Sequence, residues 1–133
     1  MAVIGVGVDA IEISRVRAAL TRTPTLLARL FTERERASCI TTCGDLRYGG
    51  LAARFAAKEA VAKALGTGMT GFGFRDIEVL HDPAGRPVIE LHDGAAAAAA
   101  RANVGTIHVS LSHSTDLAVA NAVAESATPA ASA

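Results

Sequence analysis

RFAAKEAVAKALGTG, Arg54 to Gly68, reads as a helix of about four turns ending at Gly66, a good residue for a left-handed C-terminal cap. Alanine has the best helix propensity, so the backbone conformation needs little further support. Charges interrupt the alanines at a fixed spacing. Phe55, Glu59 and Lys63 are four apart and lie in one column, and Ala56, Ala60 and Ala64 form the next. Glutamate four residues before lysine is the favourable order for a helical ion pair, worth ~0.3–0.5 kcal/mol. The same two groups can instead face a ligand, and the rest of the chain bears on that choice.

Outward from the helix, the first relevant stretch is AVIGVGVD, Ala2 to Asp9. It is a short β run in which Ile4, Val6 and Val8 share one face and Gly5, Gly7 and Asp9 the other. A face of glycines beside a carboxylate admits either a bulky ligand or a closely packed neighbouring element. The Gly-x-Gly is not a dinucleotide fingerprint, since the third glycine is missing and no phosphate loop follows. Asp9 and Glu59, two carboxylates from separate elements, together with Lys63, are the parts needed to hold Mg²⁺ on a phosphate ester. Mg²⁺ typically takes one or two carboxylates, keeps waters, and fills its other positions with phosphate oxygens. A lysine alongside neutralises charge on those phosphates.

The remaining elements fix the class. Ile13, Val16 and Leu20 have helical spacing, interrupted at Pro24. TERE, Thr32 to Glu35, is a capping box that starts a second helix. The alanine-rich helix that carries Glu59 and Lys63 is expected to begin after Gly49 and Gly50. FRDIEVLHD and RPVIELH flank Asp82-Pro83-Ala84-Gly85, a type I turn sequence, and predict a hairpin. Ala95 to Ala100 predicts a helix, and TIHVSLSH with LAVANAVAE predicts a second hairpin joined near Ser114 and Thr115. The order strand, helices, hairpin, helix, hairpin predicts an α+β domain with a mainly antiparallel sheet and helices packed on one side. One domain is expected over 1–125, with a small, polar tail, 126–133, expected to be disordered.

Composition narrows the partners. Lys and Arg number 13 against 13 Asp and Glu, so whole-chain charge favours neither nucleic acid nor a membrane surface. No apolar run approaches the roughly 20 residues that span a bilayer. The apolar start has no basic leader, and the two cysteines, Cys39 and Cys43, are not a secretory framework, so a cytoplasmic location is the default expectation. Arg15, Arg17, Arg22, Arg29, Arg34 and Arg36 share a segment whose acids are Glu33 and Glu35. It is either a solvated helix face or a surface for an acidic partner.

Four blocks, GVGVDAIEISRV, FTERE, RFAAKEAVAKALGTG and HVSLSHSTDLAVA, resemble in content and order the small holo-acyl-carrier-protein synthases of the 4′-phosphopantetheinyl transferase superfamily. The superfamily pattern is a Gly-x-Asp strand followed by an aromatic-x-x-Lys-Glu-x-x-x-Lys helix, met here by Phe55, Lys58, Glu59 and Lys63. The segment SCITTCGDLRYGG, Ser38 to Gly50, has no match in that pattern. The resemblance implies the phosphopantetheinyl transferase fold and Mg²⁺-dependent transfer of the 4′-phosphopantetheine arm of coenzyme A to a serine of an apo acyl carrier protein. Adenosine 3′,5′-bisphosphate would be released. It implies Asp9 and Glu59 as Mg²⁺ ligands, and Lys63 as a catalytic residue on the diphosphate that protonates or neutralises the leaving group. Glu59 or a metal-bound water near it takes the serine proton, and the sequence leaves the two open. Coenzyme A would be held by Lys63, by Arg54, by Gly66 and Thr67 in the turn after the helix, and by His113, whose alternative role is that of a hydrogen-bonded strand-end histidine. Arg15 and Arg22 would meet the acidic carrier protein. A homotrimer with sites between subunits and a part in fatty acid biosynthesis are further implications.

Other chemistries fit less well. Cys39, Cys43, His108 and His113 are too dispersed for a zinc site, and neighbours such as Ser112 and His113 point apart on a strand. A carrier domain of a large type I fatty acid or polyketide synthase is an alternative substrate. A non-catalytic coenzyme A-binding module is a more remote alternative, and it would have no use for two metal-ligating carboxylates.

Overall fold

The structure is a computed structural model that describes residues 1–128. Strands β1 (Val3–Glu12), β4 (Val104–His113) and β5 (Leu117–Ser126) form an antiparallel sheet in the order β1-β5-β4. Between β1 and β4 the chain makes α1 (Ile13–Arg22), α2 (Leu26–Leu30), α3 (Glu33–Ser38), α4 (Tyr48–Ala64), a 3₁₀ turn at Phe74–Asp76, the hairpin β2 (Ile77–His81) and β3 (Pro87–Leu91), and α5 (Asp93–Arg101). The α+β class with antiparallel strands is as the sequence predicts. Among the described residues the strands are divided between two sheets, because β2 and β3 pair only with each other.

Small residues set the central packing. The inward positions of β5 are Ala118, Ala120, Ala122 and Ala124, all buried, and they meet the buried alanines of α4. Gly5 and Gly7 complete this shallow surface on β1. A Cβ on Gly5 would lie 1.8 Å from the Ala64 carbonyl oxygen, and one on Gly7 would lie 2.0 Å from that of Ala60. The glycine face therefore receives α4 and not a bulky ligand, which decides between the two readings of the Gly-x-Gly. On the opposite face of β1, Val3, Ile4, Val6 and Val8 are exposed.

Several boundaries differ from the sequence reading for local reasons. Helix α4 begins at Tyr48 and takes in Gly49 and Gly50. Gly49 accommodates the ring of His113, whose Cε1 would lie 2.7 Å from an added Cβ, so close packing and not helix breaking explains it. The short α2 follows Pro24 and was not foreseen, and Phe74–Asp76 coils as a 3₁₀ turn before β2 begins. Thr32 and Glu35 form the predicted capping box. The Asp82–Gly85 turn is likewise present, with the Gly85 amide donating to the Asp82 carbonyl at 2.9 Å. Strand β5 ends at Ser126, the first residue assigned to the tail, and 129–133 lie outside the described residues.

Candidate active site

Close contact between β1 and α4 brings three of the predicted residues together. Lys63 Nζ donates to the Val8 carbonyl oxygen at 2.8 Å and lies 3.2 Å from Asp9 Oδ1. The helical Glu59–Lys63 ion pair allowed by the spacing is not formed among the described residues, because the ammonium reaches across to the strand instead. Glu59 is half-buried beside them. Burial raises its pKa first, the Asp9 charge raises it further, and Lys63 opposes both. Two carboxylates that feel one another, with partial access to solvent, form a donor set that suits a small hard divalent cation, and the lysine alongside suits the anion such a cation carries.

Beneath this site the sequence hid a second ion pair. Lys58 and Glu35 are both fully buried, with Nζ 2.8 Å from Oε1. Nζ also donates to the carbonyls of Phe74 and Ile77 at 2.9 and 2.6 Å, and Glu35 accepts from the amides of Thr32 and Val79, each at 2.9 Å. Burial lowers the Lys58 pKa, and the Glu35 charge and hydrogen bond oppose that shift. The pair ties α3, α4 and β2 together and locks the turn of α4 next to Glu59.

Arg54 and His113 meet elsewhere, in a cleft of about 580 Å³ that Arg47, His81, Cys39 and Gly50 also line. Arg54 is almost wholly buried. Its Nη1 donates to the Gly50 carbonyl at 3.4 Å, and its Nη2 lies 3.2 Å from His81 Nδ1. A guanidinium has no acceptor, so that histidine nitrogen accepts and carries no proton. Burial and then Arg54 lower the His81 pKa, consistent with that state. Among the described residues, the buried Arg54 Nε has no hydrogen-bond partner. Gly66 and Thr67 lie elsewhere: Gly66 follows the C-terminus of α4, about 18 Å along the axis from Arg54 at 1.5 Å per residue. Gly66 has a φ of +80°, as its capping role requires, and its amide donates to the Lys63 carbonyl at 3.0 Å. Arg15 and Arg22 edge an apolar groove of about 430 Å³ whose walls include Ile11, Leu26, Phe31 and Phe55.

Residues 5–122 match the family model of the 4′-phosphopantetheinyl transferase superfamily. The chain belongs to that superfamily. It is 45% identical over 130 residues to the holo-[acyl-carrier-protein] synthase of Chloroflexus aurantiacus, an alignment covering 89% of this chain and 95% of the other. The holo-[acyl-carrier-protein] synthase structure from Neisseria meningitidis superposes with a TM-score of 0.83 at 29% identity, covering 93% of this chain and 99% of that one. The corresponding Bacillus anthracis structure, in complex with CoA (3′,5′-ADP), gives a TM-score of 0.76 at 35% identity, covering 94% and 98%.

As a phosphopantetheinyl transferase, the chain uses the Lys58-Glu59-x-x-x-Lys63 pattern on two sides of one helix. Lys58 points into the core and Glu59 and Lys63 out of it. Sequence reasoning missed Arg47 and His81 beside Arg54: Arg47 caps α4 two turns before Arg54 but preceded the expected helix start, and His81 comes from β2. It also missed Glu78, Glu90 and His92, whose ligand atoms lie within 4.8 Å of one another. The Arg34 guanidinium spans both carboxylates of that cluster, and Thr32 and His92 also bond Glu78, so it is a hydrogen-bonded network joining α3 to the β2–β3 hairpin. Among the described residues, no helix is long and apolar enough to cross a membrane.

Proposed function

We propose that this transferase moves the 4′-phosphopantetheine arm of coenzyme A to a serine hydroxyl of an apo acyl carrier protein, releasing adenosine 3′,5′-bisphosphate. The observation that carries the reading is the convergence of Asp9, Glu59 and Lys63 from β1 and α4. The relatives named holo-acyl-carrier-protein synthase, and the similar structure solved with coenzyme A, supply the substrate pair. That pair supports our reading of a part in fatty acid biosynthesis in the cytoplasm.

Asp9 and Glu59 would hold Mg²⁺, which when bound neutralises charge on the diphosphate. Lys63 then contributes a cation to the bridging and leaving oxygens, where charge grows as the pyrophosphate bond breaks. Glu59 is poised to take the serine proton directly or through a water, since burial and the Asp9 charge raise its pKa. Arg54, with an unmet buried donor, and His113 would bind phosphate groups of the nucleotide in their shared cleft.

In one chain the Arg54–His113 cleft and the Asp9–Glu59–Lys63 cluster are lined by different residues. A homotrimer in which neighbouring subunits pair these halves would complete the site, and it would cover the exposed Val3, Ile4, Val6 and Val8. Arg15 and Arg22, beside their apolar groove, suit an acidic amphipathic helix of the carrier. Chromatographic assay of adenosine 3′,5′-bisphosphate tests the reading. Release should require both apo carrier and an intact Asp9, and carrier-independent release or none would overturn it.

A further inference from the structure

Lys63 is paired with Asp9, a proposed cation ligand. Its stem crosses β1 directly over Gly7, where an added Cβ would lie 2.9 Å from Lys63 Cβ, and so it runs toward Asp9 two residues further along the strand. The ammonium is held at two points, 2.8 Å from the Val8 carbonyl oxygen and 3.2 Å from Asp9 Oδ1. Lys63 remains half-exposed, its side chain 51% accessible against 22% for Asp9. It also borders an open cleft of about 530 Å³ with Val6, Val8, Asn121 and Val123, so it has room to move.

We propose that Lys63 is the resting counter-ion of Asp9, occupying that carboxylate until a divalent cation replaces it, and that the freed ammonium is then taken up by the coenzyme A diphosphate. The inference rests on Asp9 and Glu59 being the cation ligands. A divalent cation on Asp9 and an ammonium 3.2 Å from the same oxygen repel one another, so one displaces the other. The Val8 carbonyl, a neutral acceptor, holds Lys63 without opposing its release as a second carboxylate would. Two consequences follow. Removing the Lys63 charge tightens cation binding to the free protein. The diphosphate, by giving Lys63 another anion, promotes cation binding through Lys63, and linkage makes the effect reciprocal.

The test uses Mn²⁺ as probe, with free Mn²⁺ read by electron paramagnetic resonance near neutral pH, with and without coenzyme A. Wild type is compared with Lys63→Gln, Lys63→Met and Asp9→Asn, each checked for native circular dichroism. Without coenzyme A, both Lys63 variants should bind Mn²⁺ about three- to tenfold more tightly, the effect of removing one unit charge beside a partly solvated site. The factor by which coenzyme A tightens Mn²⁺ should be smaller in Lys63→Gln than in wild type. A merely nearby positive charge would change the first quantity and leave that factor unaltered. If wild-type Mn²⁺ binding depends on Asp9 but the Lys63 variants bind no more tightly, or the factor is unchanged, the counter-ion exchange is wrong and the ligand assignment stands. Mn²⁺ binding that ignores Asp9→Asn, or no binding at all, overturns both.

Discussion

The Ala60 carbonyl oxygen lies 2.0 Å from where a Cβ on Gly7 would stand, so the strand carrying Asp9 and the helix carrying Glu59 meet backbone to backbone. Neither partner is a flexible side chain that can step aside. Gly7→Ala must push α4 off β1, at a cost of ~1–3 kcal/mol, and must also shift Lys63, whose Cβ would be 2.9 Å from the new methyl. We expect a lower urea midpoint, Mn²⁺ affinity reduced at least severalfold and transfer slowed by roughly tenfold or more. A Gly7→Ala protein with unchanged Mn²⁺ affinity would show that this contact does not set the site.

Lys58 and Glu35 make a separate prediction. Each is fully buried, so removing one leaves the other charged without its partner. Lys58→Met or Glu35→Gln should each cost about 3–5 kcal/mol, whereas the two changes combined should cost much less than the sum. Urea denaturation of the four proteins measures the coupling. Additive losses would mean the pair contributes no specific attraction.

How much of this was legible in the sequence depends on what each residue contacts. Asp9, Glu59 and Lys63 were readable because strand alternation and helical spacing fix which side chains share a face, and the structure brings the three together. Arg54 and His113 do share a cleft, but Gly66 and Thr67 stand at the far end of α4. Helix length alone implies that separation, since the rise from Arg54 to Gly66 is about 18 Å. Gly49 and Gly50 looked like the edge of a helix, and the need of Gly49 to clear the His113 ring depends on a residue 64 positions away. The partner of Lys58 was hidden for the same reason, because Glu35 reaches it from another helix while also serving as a cap. Periodicity reports one element at a time, and these contacts join several.

Glu78 predicts an acid limit to stability. Burial pushes its pKa up, but hydrogen bonds from Thr32, Arg34 and His92 outweigh this and bring it from 4.5 down to about 2. A lowered carboxylate pKa stabilises the folded state above the unfolded pKa, and this contribution is lost as pH falls from about 5 toward 2. The contribution is at most about 3 kcal/mol. Glu78→Gln should lower stability at pH 7 and flatten its decline between pH 5 and 3, as followed by thermal melting. An unaltered acid profile in that variant would exclude Glu78 as the source.

Carrier recognition should depend on charge at α1. Arg15→Glu combined with Arg22→Glu should raise the KM for apo carrier at least tenfold at low salt and leave the KM for coenzyme A near its original value. The difference from wild type should shrink as salt screens the interaction. A carrier KM indifferent to both charge reversal and salt would remove this face from the carrier interface.

The most direct test of the central claim is intact-mass analysis of apo acyl carrier proteins incubated with this protein, coenzyme A and Mg²⁺. Glu59→Gln and a chelated reaction serve as controls. The account predicts a gain of ~340 Da, one phosphopantetheine arm moved by phosphoryl-type transfer, lost with Glu59→Gln and lost on chelation. An unmodified carrier in the presence of folded protein and bound coenzyme A, or a gain that survives both controls, would contradict it.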